Sequence, residues 1–302
     1  MYGDGALDLQ RRSVTIRGVR LWYWRTGHGA RDGLVVLHGL GGDHSGLGDM
    51  AGLLRGVDLI LPDLPGYGDT APLSQPHTLV NYADTIEDFR IALGLRRFHL
   101  LGHSLGASIA LLYAARHPVA LRSLCLLNPV TAAHGLTAAL GQAYFRIAAR
   151  LPARLASLWM ASKPAVYVTD AAILTTWDWQ VRRRILRQDY VNYRKASVRA
   201  MIESFLSYYQ TDFDALAGAI SCPTLLVTGS RDGLAPPSAI ERLSEMIRSG
   251  PARIVPGGGH LLPVERPGET AELVNDFLPI SSDQLARGWA QATVEPRTIA
   301  EQ

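Results

Sequence analysis

The sequence predicts an α/β protein whose mostly parallel β-sheet is covered by helices on both faces. Three observations favour this class. Short apolar runs alternate with segments of helical spacing along most of the chain, as strands and helices do in repeated β-α units. The run Leu34-Val35-Val36-Leu37 is apolar at every position, which is typical of a parallel strand buried on both faces. Glycine-rich loops follow the runs, where the carboxyl ends of such strands are expected to bind ligands.

Each predicted strand is a run of apolar or β-branched residues that ends at a turn-forming cluster. The strands cover residues 13–16, 21–25, 34–37, 57–61, 97–101, 121–127, 223–228 and 252–255, and the first two form a hairpin around Gly18. Helices are predicted over residues 78–93, 108–116, 237–248 and 268–277. Thr78 is a favourable N-cap for the first of these helices, and Gly94 is a favourable stop.

The alternation of strand and helix stops between residues 130 and 216. This segment consists of predicted helices rich in alanine, arginine and tyrosine, and we interpret it as an insertion that roofs a pocket at the carboxyl edge of the sheet. The predicted organisation is therefore an α/β core of residues 1–129 and 217–279, a helical cap of residues 130–216, and a polar C-terminal tail of residues 280–302.

A candidate nucleophile lies in the segment Gly102-His103-Ser104-Leu105-Gly106, between a predicted strand and a predicted helix. This is the G-x-S-x-G pattern of a sharp strand-to-helix turn that exposes a serine hydroxyl. The flanking glycines have a steric role, because a strained serine leaves room only for hydrogen at the positions that crowd it. The Leu105 N–H at the start of the helix is a predicted donor to an oxyanion.

A serine nucleophile needs a base to take its proton and an acid to orient that base. His260 is the candidate base, since it lies in a glycine-rich loop just after the last predicted strand. Asp232 is the candidate acid, because it follows the strand 223–228, whereas the loop after Leu127 offers no carboxylate. The competing interpretations are a surface-loop histidine and an aspartate in an ordinary Asp-Gly turn.

The loop His38-Gly39-Leu40-Gly41-Gly42 follows the strand 34–37 and is predicted to supply a second oxyanion donor, the Leu40 N–H. A nucleotide-binding loop is the alternative for such a glycine-rich segment. It is disfavoured because the loop lacks the Lys-Ser/Thr ending of a P-loop and fits G-x-G-x-x-G poorly.

Taken together, these segments resemble the α/β-hydrolase fold superfamily, in its serine-nucleophile branch with a helical cap. The resemblance rests on residues 38–42, 63–68, 102–106, 232 and 259–260. It implies an eight-stranded, mostly parallel sheet, no cofactor, and Ser104, Asp232 and His260 as nucleophile, acid and base. The sequence departs from the related epoxide hydrolases and haloalkane dehalogenases, which place an aspartate where Ser104 stands. It also departs from the carbon-carbon bond hydrolases, because Gly42-Asp43 replaces a Pro-Gly pair.

The expected reaction is a two-step acyl transfer that cleaves an ester or thioester of a small to medium apolar acyl substrate through an acyl-enzyme. An alternative is thioesterase- or cyclase-type acyl transfer in a biosynthetic pathway. A cofactor-free lyase or oxygenase, in which Ser104 only donates a hydrogen bond, is another. A binding protein without turnover is disfavoured by the complete set of three side chains.

Charge is unevenly distributed along the chain. The net charge of +3 is too small to imply a nucleic acid partner, but residues 141–200 contain eleven Arg and Lys against three Asp, a surplus of +8. Solvated helix faces are the usual explanation. The sharper hypothesis is an acidic partner, either a carboxylate substrate, coenzyme A or an acyl carrier protein. Seven aromatic residues of the cap are candidates for a pocket roof, although helix packing is the favoured interpretation for any single one: Trp177, Trp179, Tyr190, Tyr193, Phe205, Tyr208 and Tyr209.

Localisation and cysteine chemistry are predicted from what the sequence lacks. The N-terminus has neither a basic region nor an apolar core of a secretory signal, and no apolar run approaches the roughly 20 residues of a membrane span. A cytoplasmic location is therefore expected. Cys125 and Cys222 are expected to be small buried hydrophobic residues, because no ligand spacing for a metal is present.

Overall fold

The strands form one eight-stranded sheet in the computed structural model, which describes residues 8–27, 33–131, 135–171, 173–248 and 252–287. In chain order they are β1 (Gln10–Ile16), β2 (Val19–Arg25), β3 (Gly33–Leu37), β4 (Asp58–Pro62), β5 (Phe98–His103), β6 (Leu121–Leu127), β7 (Thr224–Gly229) and β8 (Arg253–Val255). Their spatial order is β1-β2-β4-β3-β5-β6-β7-β8. The pairs β1-β2 and β2-β4 are antiparallel, and every other pair is parallel. The predicted fold class is confirmed.

The helices of the described residues flank this sheet or lie between β6 and β7. They are α1 (Gly48–Ala51), α2 (Leu79–Ala92), α3 (Leu105–Arg116), α4 (Gly135–Arg150), α5 (Ala153–Met160), α6 (Lys163–Ala171), α7 (Trp179–Lys195), α8 (Val198–Ser207), α9 (Phe213–Ala217), α10 (Pro237–Ile247), α11 (Leu262–Glu265) and α12 (Pro267–Arg287). Short 3-10 turns cover His44–Leu47 and Tyr208–Gln210. None of these helices combines the length and the apolar character needed to cross a bilayer.

The core has two layers, one on each face of the sheet. Successive residues of a strand point to opposite faces, so Leu100 packs in one layer and Leu101 in the other. The first layer includes the buried side chains of α2 and α3, and the second includes those of α1, α11 and α12. Because both faces are covered, β3, β4 and β5 are buried at every position, which explains the continuous apolar run of β3.

The last helix is longer than predicted. It was expected to end near Phe277, before a polar tail that starts at residue 280, but α12 continues to Arg287. Pro279 lacks an N–H and usually disrupts a helix interior. The residues after it are mostly good or moderate helix formers, and the backbone stays helical through them. The remainder of the predicted tail lies outside the described residues.

The segment between β6 and β7 contains α4 to α9 and, among its described residues, no strand. Its helices pack together through aromatic side chains, with Phe145 stacked on Phe205 at a ring distance of 3.9 Å. Its C-terminal half also contacts the core, since Ser197 N–H donates to Gly66 O at 2.7 Å. The predicted domain boundaries at residues 129 and 216 stay a prediction.

Candidate active site

Ser104 lies at the junction of β5 and α3 in a strained backbone conformation, with φ of 52° and ψ of −114°. The two glycines around it are required by close backbone contacts. A Cβ at Gly102 would lie 2.2 Å from Gly106 O, and a Cβ at Gly106 would lie 2.3 Å from Leu37 O. The junction is therefore packed directly against the end of β3, and it holds the serine above the carboxyl edge of the sheet.

The structure brings the three predicted side chains together. Ser104 Oγ lies 2.8 Å from His260 Nε2, and His260 Nδ1 lies 2.9 Å from Asp232 Oδ2. A carboxylate only accepts hydrogen bonds, so the Nδ1–H donates to Asp232 and leaves Nε2 free to accept the serine proton. All three side chains are buried, with exposed fractions of 9% for Ser104, 4% for His260 and 3% for Asp232.

Asp232 is held as a carboxylate by donors that surround it. The N–H groups of Leu234 and Ala235 donate to Oδ1 at 2.8 and 2.9 Å, and Asn128 Nδ2 donates to Oδ2 at 2.8 Å. Burial alone would raise the pKa of Asp232, but the charge of His260 and these hydrogen bonds lower that pKa well below its usual value. The acid is thus ionised beside His260 at neutral pH.

Asn128 is a site residue whose role was not predicted. Its amide donates both to Asp232 Oδ2 and, at 3.1 Å, to Gly259 O, so one side chain joins the acid to the loop that carries His260. Its φ of 49° is a left-handed conformation that asparagine tolerates better than most residues. The signal in the sequence was the position of Asn128 directly after Leu127, in the loop that was considered as a place for the acid and found to contain no carboxylate.

His103, next to the nucleophile, also has a role that was not predicted. Its Nε2–H donates to the His260 carbonyl oxygen at 2.9 Å and so fixes the backbone of the candidate base. Burial, followed by the nearby His260, lowers the pKa of His103 to about 4. His103 is therefore neutral near pH 7, and its proton is on the nitrogen that faces the carbonyl.

The two predicted oxyanion donors lie beside this junction, because Leu105 begins α3 and a Cβ at Gly39, next to Leu40, would lie 3.3 Å from Ser104 Cβ. Neither the Leu40 N–H nor the Leu105 N–H donates to another described residue, and Leu105 is the first residue of α3. The loop that carries Leu40 is fixed by His38, which accepts the Leu64 N–H on Nε2 at 3.0 Å and donates Nδ1–H to Gly39 O at 2.8 Å. Burial lowers the pKa of His38, which keeps it neutral. The loop is therefore rigid before any substrate binds.

Helix α7 packs on this oxyanion loop, defined here as residues 38–47. The Tyr193 ring lies so close to Gly41 that a Cβ there would be 2.4 Å from a ring carbon. Gln188 Nε2 donates to Ser45 Oγ at 3.2 Å, and Arg184 pairs with Asp49 just beyond the loop. The inner face of α7 thus forms part of the roof over the loop.

The seven aromatic candidates for a pocket roof lie in different environments, and their role as a roof stays a prediction. Trp177 and Trp179 are 87% and 66% exposed. Tyr190 contacts the cations of Lys163 and Arg194. Tyr193 lies against the oxyanion loop, and the others pack in an aromatic cluster: Phe205, Tyr208 and Tyr209, together with Phe145.

The described residues offer no obvious metal site. No group of three or more His, Cys, Asp or Glu among them is arranged to hold a metal ion. Cys125 and Cys222 are free and buried, as expected, and burial raises the pKa of both thiols, that of Cys222 to about 11. They are therefore protonated and unreactive at neutral pH.

Comparisons with known proteins agree with this architecture. The model of the alpha/beta hydrolase fold family matches residues 33–267. Lipase 1 of Psychrobacter immobilis is 23% identical over 295 residues, covering 94% of this chain and 88% of the lipase. The crystal structure of a bacterial membrane phospholipase A is similar with a TM-score of 0.74 and 26% identity, covering 92% of this chain and 88% of that one. A thermophilic esterase from Thermogutta terrifontis is similar with a TM-score of 0.74 and 21% identity, covering 90% and 99%. The chain belongs to the alpha/beta hydrolase fold family and is a hydrolase.

Proposed function

We propose that this hydrolase cleaves an ester or thioester of a small to medium apolar acyl substrate through an acyl-enzyme. The observation that carries the proposal is the unbroken series of hydrogen bonds from Asp232 through His260 to Ser104. Similarity to a lipase and an esterase supports an ester as the substrate. The strained backbone of Ser104 adds support, because such strain persists where function requires it.

The geometry supports a mechanism in two acyl-transfer steps. Ser104 Oγ attacks the acyl carbon as its proton passes to His260 Nε2, and the carbonyl electron pair moves onto oxygen. When the tetrahedral intermediate collapses, the bond to the leaving oxygen or sulfur breaks and His260 returns the proton to that atom. Water, deprotonated by His260, then attacks the acyl-enzyme. The bond between the acyl carbon and Ser104 Oγ breaks as His260 returns the proton to Oγ, which releases the acid. If another nucleophile enters instead of water, the same step becomes acyl transfer.

The oxyanion formed in each step is stabilised by the N–H groups of Leu40 and Leu105. Both are unengaged in the described structure, and the Leu105 N–H also lies at the positive end of the α3 dipole. Loss of one such donor costs about 3 kcal/mol in other serine enzymes. The fixed loop geometry matters for this reason, since a donor that must first be oriented contributes less.

Covalent labelling tests this proposal. A fluorophosphonate probe is expected to label the wild type and not Ser104→Ala, whose kcat for a 4-nitrophenyl ester should fall by about 10³-fold or more. Ser108→Ala is the matched control, because Ser108 is buried on the next turn of α3 and bonds Val130 O instead of His260. Labelling that persists in Ser104→Ala, or that never occurs with folded wild type, would reject the serine-hydrolase mechanism.

The exposed residues of α7 support an acidic acyl donor, as the charge distribution led us to expect. A surface groove of about 640 Å³ is lined there by Trp179, Gln180, Arg183, Arg184, Arg187, Gln188 and Val191. Arg184 pairs with Asp49, whereas Arg183 and Arg187 have no carboxylate partner among the described residues. Two such cations beside an exposed indole can attract the phosphates of coenzyme A or the acidic surface of an acyl carrier protein.

Salt dependence tests this part of the proposal. The double variant Arg183→Glu/Arg187→Glu should raise KM for an acyl-coenzyme A or an acyl carrier substrate about tenfold at low ionic strength, and less at high salt. The control is Arg12→Glu, which reverses the charge of an exposed residue on β1 and should not change KM. A KM that does not respond to salt or to the double variant would rule out the acidic donor and leave the ester hydrolase unaffected.

A further inference from the structure

Two buried polar side chains, on the adjacent helices α6 and α7, each contain one atom without a hydrogen-bond partner among the described residues. Asp170 on α6 is 1% exposed and Asn192 on α7 is 3% exposed. Asp170 Oδ2 and Asn192 Nδ2 each form no hydrogen bond, with each other or with any other described residue. More than nine-tenths of buried polar groups in proteins are hydrogen-bonded, so this acceptor and this donor indicate a place where another polar group binds.

The pair lies in a part of the cap that disfavours negative charge. Asp189 is on the same face of α7 as Asn192, three residues earlier. Burial and the nearby Asp189 raise the pKa of Asp170 to about 8, and burial and the nearby Asp43 raise the pKa of Asp189 to about 7. An anionic ligand group would be repelled here, whereas a neutral polar group would not.

The same face of α7 connects this pair to the candidate active site. Tyr193, next to Asn192, lies within electrostatic range of Asp170 and Asp189, and its ring packs on Gly41 beside the oxyanion donor Leu40. Asn192 Oδ1 accepts from Gln188 Nε2 at 3.0 Å, and the same nitrogen donates to Ser45 Oγ of the oxyanion loop. Asn192 therefore belongs to the layer of the cap that covers the loop, and Asp170 lies on α6, which packs beside that layer.

We propose that Asp170 and Asn192 bind a hydroxyl group of the substrate, with the Asn192 amide donating to the hydroxyl oxygen and the hydroxyl donating to Asp170 Oδ2. The inference rests on the ester-hydrolase function proposed above. A hydroxyl satisfies both atoms whether or not Asp170 carries a proton, because it can donate and accept. An ammonium group cannot accept from Asn192. A carbonyl could pair with both atoms only while Asp170 is protonated, whereas a hydroxyl pairs with them in either state. The preferred substrate is therefore an ester that carries a hydroxyl group away from the reacting carbonyl.

Matched pairs of esters test this inference. One series compares 4-nitrophenyl alkanoates with their ω-hydroxy counterparts of increasing chain length, so that the hydroxyl is in the acyl part. A second series compares alkyl esters with ω-hydroxyalkyl esters, so that it is in the alcohol part. In one of the two series we expect the kcat/KM of the wild type for the hydroxylated ester to exceed that for the plain ester by about tenfold or more. The reason is that a plain ester has no hydroxyl group and leaves both buried atoms unpaired.

Two variants remove the site without touching Ser104, Asp232 or His260. Asn192→Leu and Asp170→Leu/Asn192→Leu should reduce the preference to near unity while kcat/KM for the plain ester changes little. The double variant removes both polar groups and so leaves no buried atom unpaired, which should preserve folding if the single variant does not fold. Lys195→Leu, at an exposed position of α7 outside the groove described above, is the control and should keep the wild-type preference.

The outcomes separate this inference from the function on which it rests. Hydrolysis of both members of every pair at equal rates would overturn hydroxyl recognition and leave the hydrolase intact. A preference for the hydroxylated ester that survives in the double variant would also overturn hydroxyl recognition. So would a crystal structure with a bound hydroxylated ester in which only an ordered water contacts Asp170 and Asn192. No hydrolysis of any ester by folded wild type would overturn both proposals.

Discussion

At the scale of single residues, Asn128 connects the parts of the candidate site. Its amide donates to the Asp232 carboxylate and to the Gly259 carbonyl, and these groups lie on two separate loops. The positive φ of Asn128 sets the direction of that amide at the end of β6. His103 has a comparable role on the other side, since it donates to the His260 carbonyl. Both residues position the acid and the base, and neither contacts Ser104 Oγ.

Replacing Asn128 by glycine should lower kcat about tenfold. Glycine accepts the positive φ without strain, so the loss isolates the amide that orients Asp232. The measurement is hydrolysis of a 4-nitrophenyl ester, with Asn275→Ala as a control because Asn275 bonds only surface backbone groups. An unchanged kcat in Asn128→Gly would show that the remaining donors to Asp232 are sufficient.

At the scale of secondary-structure elements, the junction of β5 and α3 depends on close packing against β3. Gly106 approaches Leu37 O, and β3 leads directly into the loop that carries Leu40. The serine and both oxyanion donors therefore sit on two elements that touch through backbone atoms. Any side chain at Gly106 would have to separate them.

Gly106→Ala should destabilise the fold by about 2 kcal/mol or more, because the added Cβ would overlap Leu37 O at 2.3 Å. Urea denaturation measures this change. Gly46→Ala is the control, since a Cβ at Gly46 would meet no atom within 4 Å and should leave the midpoint nearly unchanged. Equal midpoints for the two variants would contradict the packing described for the junction.

The packing of α6 on α7 should make stability depend on pH through Asp170. The pKa of this carboxyl rises from 3.8 to about 8 on folding, so the folded chain binds more protons than the unfolded chain between these values. The contribution of Asp170 to the free energy of unfolding therefore falls as the pH rises from 3.8 to about 8. Asp170→Asn removes the effect, and calorimetry should find its Tm advantage over wild type larger at about pH 9 than at about pH 4. A pH-independent difference would contradict the burial of a raised-pKa carboxyl.

At the scale of the whole molecule, the core has the opposite dependence on pH. Several carboxylates around the sheet have a pKa below the usual value, because cations, histidines or backbone N–H groups surround them: Asp58, Asp63, Glu87 and Asp232. Glu87 is an example, since the hydrogen bonds from Arg90 and Tyr113 lower its pKa to about 2. These carboxylates stabilise the fold through their ion pairs and hydrogen bonds only while they are ionised.

The free energy of unfolding should therefore decrease as pH falls below the ordinary carboxyl pKa of about 4, and continue to fall until the lowered values are passed. Urea denaturation at a series of pH values measures this slope. Glu87→Gln should flatten it, because the variant has no carboxylate to protonate at this position. The same slope in wild type and variant would show that Glu87 does not contribute.

Most of the sheet could be predicted because strand formation here is local. Runs such as 34–37 and 124–127 are apolar at every position, and β3 and β6 cover them. The position of Ser104 was also predictable, since its strand, turn and helix are consecutive in the chain. The end of α12 was not, because a helix can continue past Pro279 when the residues that follow favour it.

The sequence by itself determined the elements, their order, and the candidate residues Ser104, Asp232 and His260, because each of these follows its own strand. Only the tertiary structure decided which distant side chains meet: Asn128 with Asp232, His103 with the His260 carbonyl, and α7 with the oxyanion loop. It also decided that Asp170 Oδ2 and Asn192 Nδ2 are buried without a hydrogen-bond partner among the described residues. The physical reason is that turns and strands follow from neighbouring residues, whereas these contacts depend on how separate loops and helices pack.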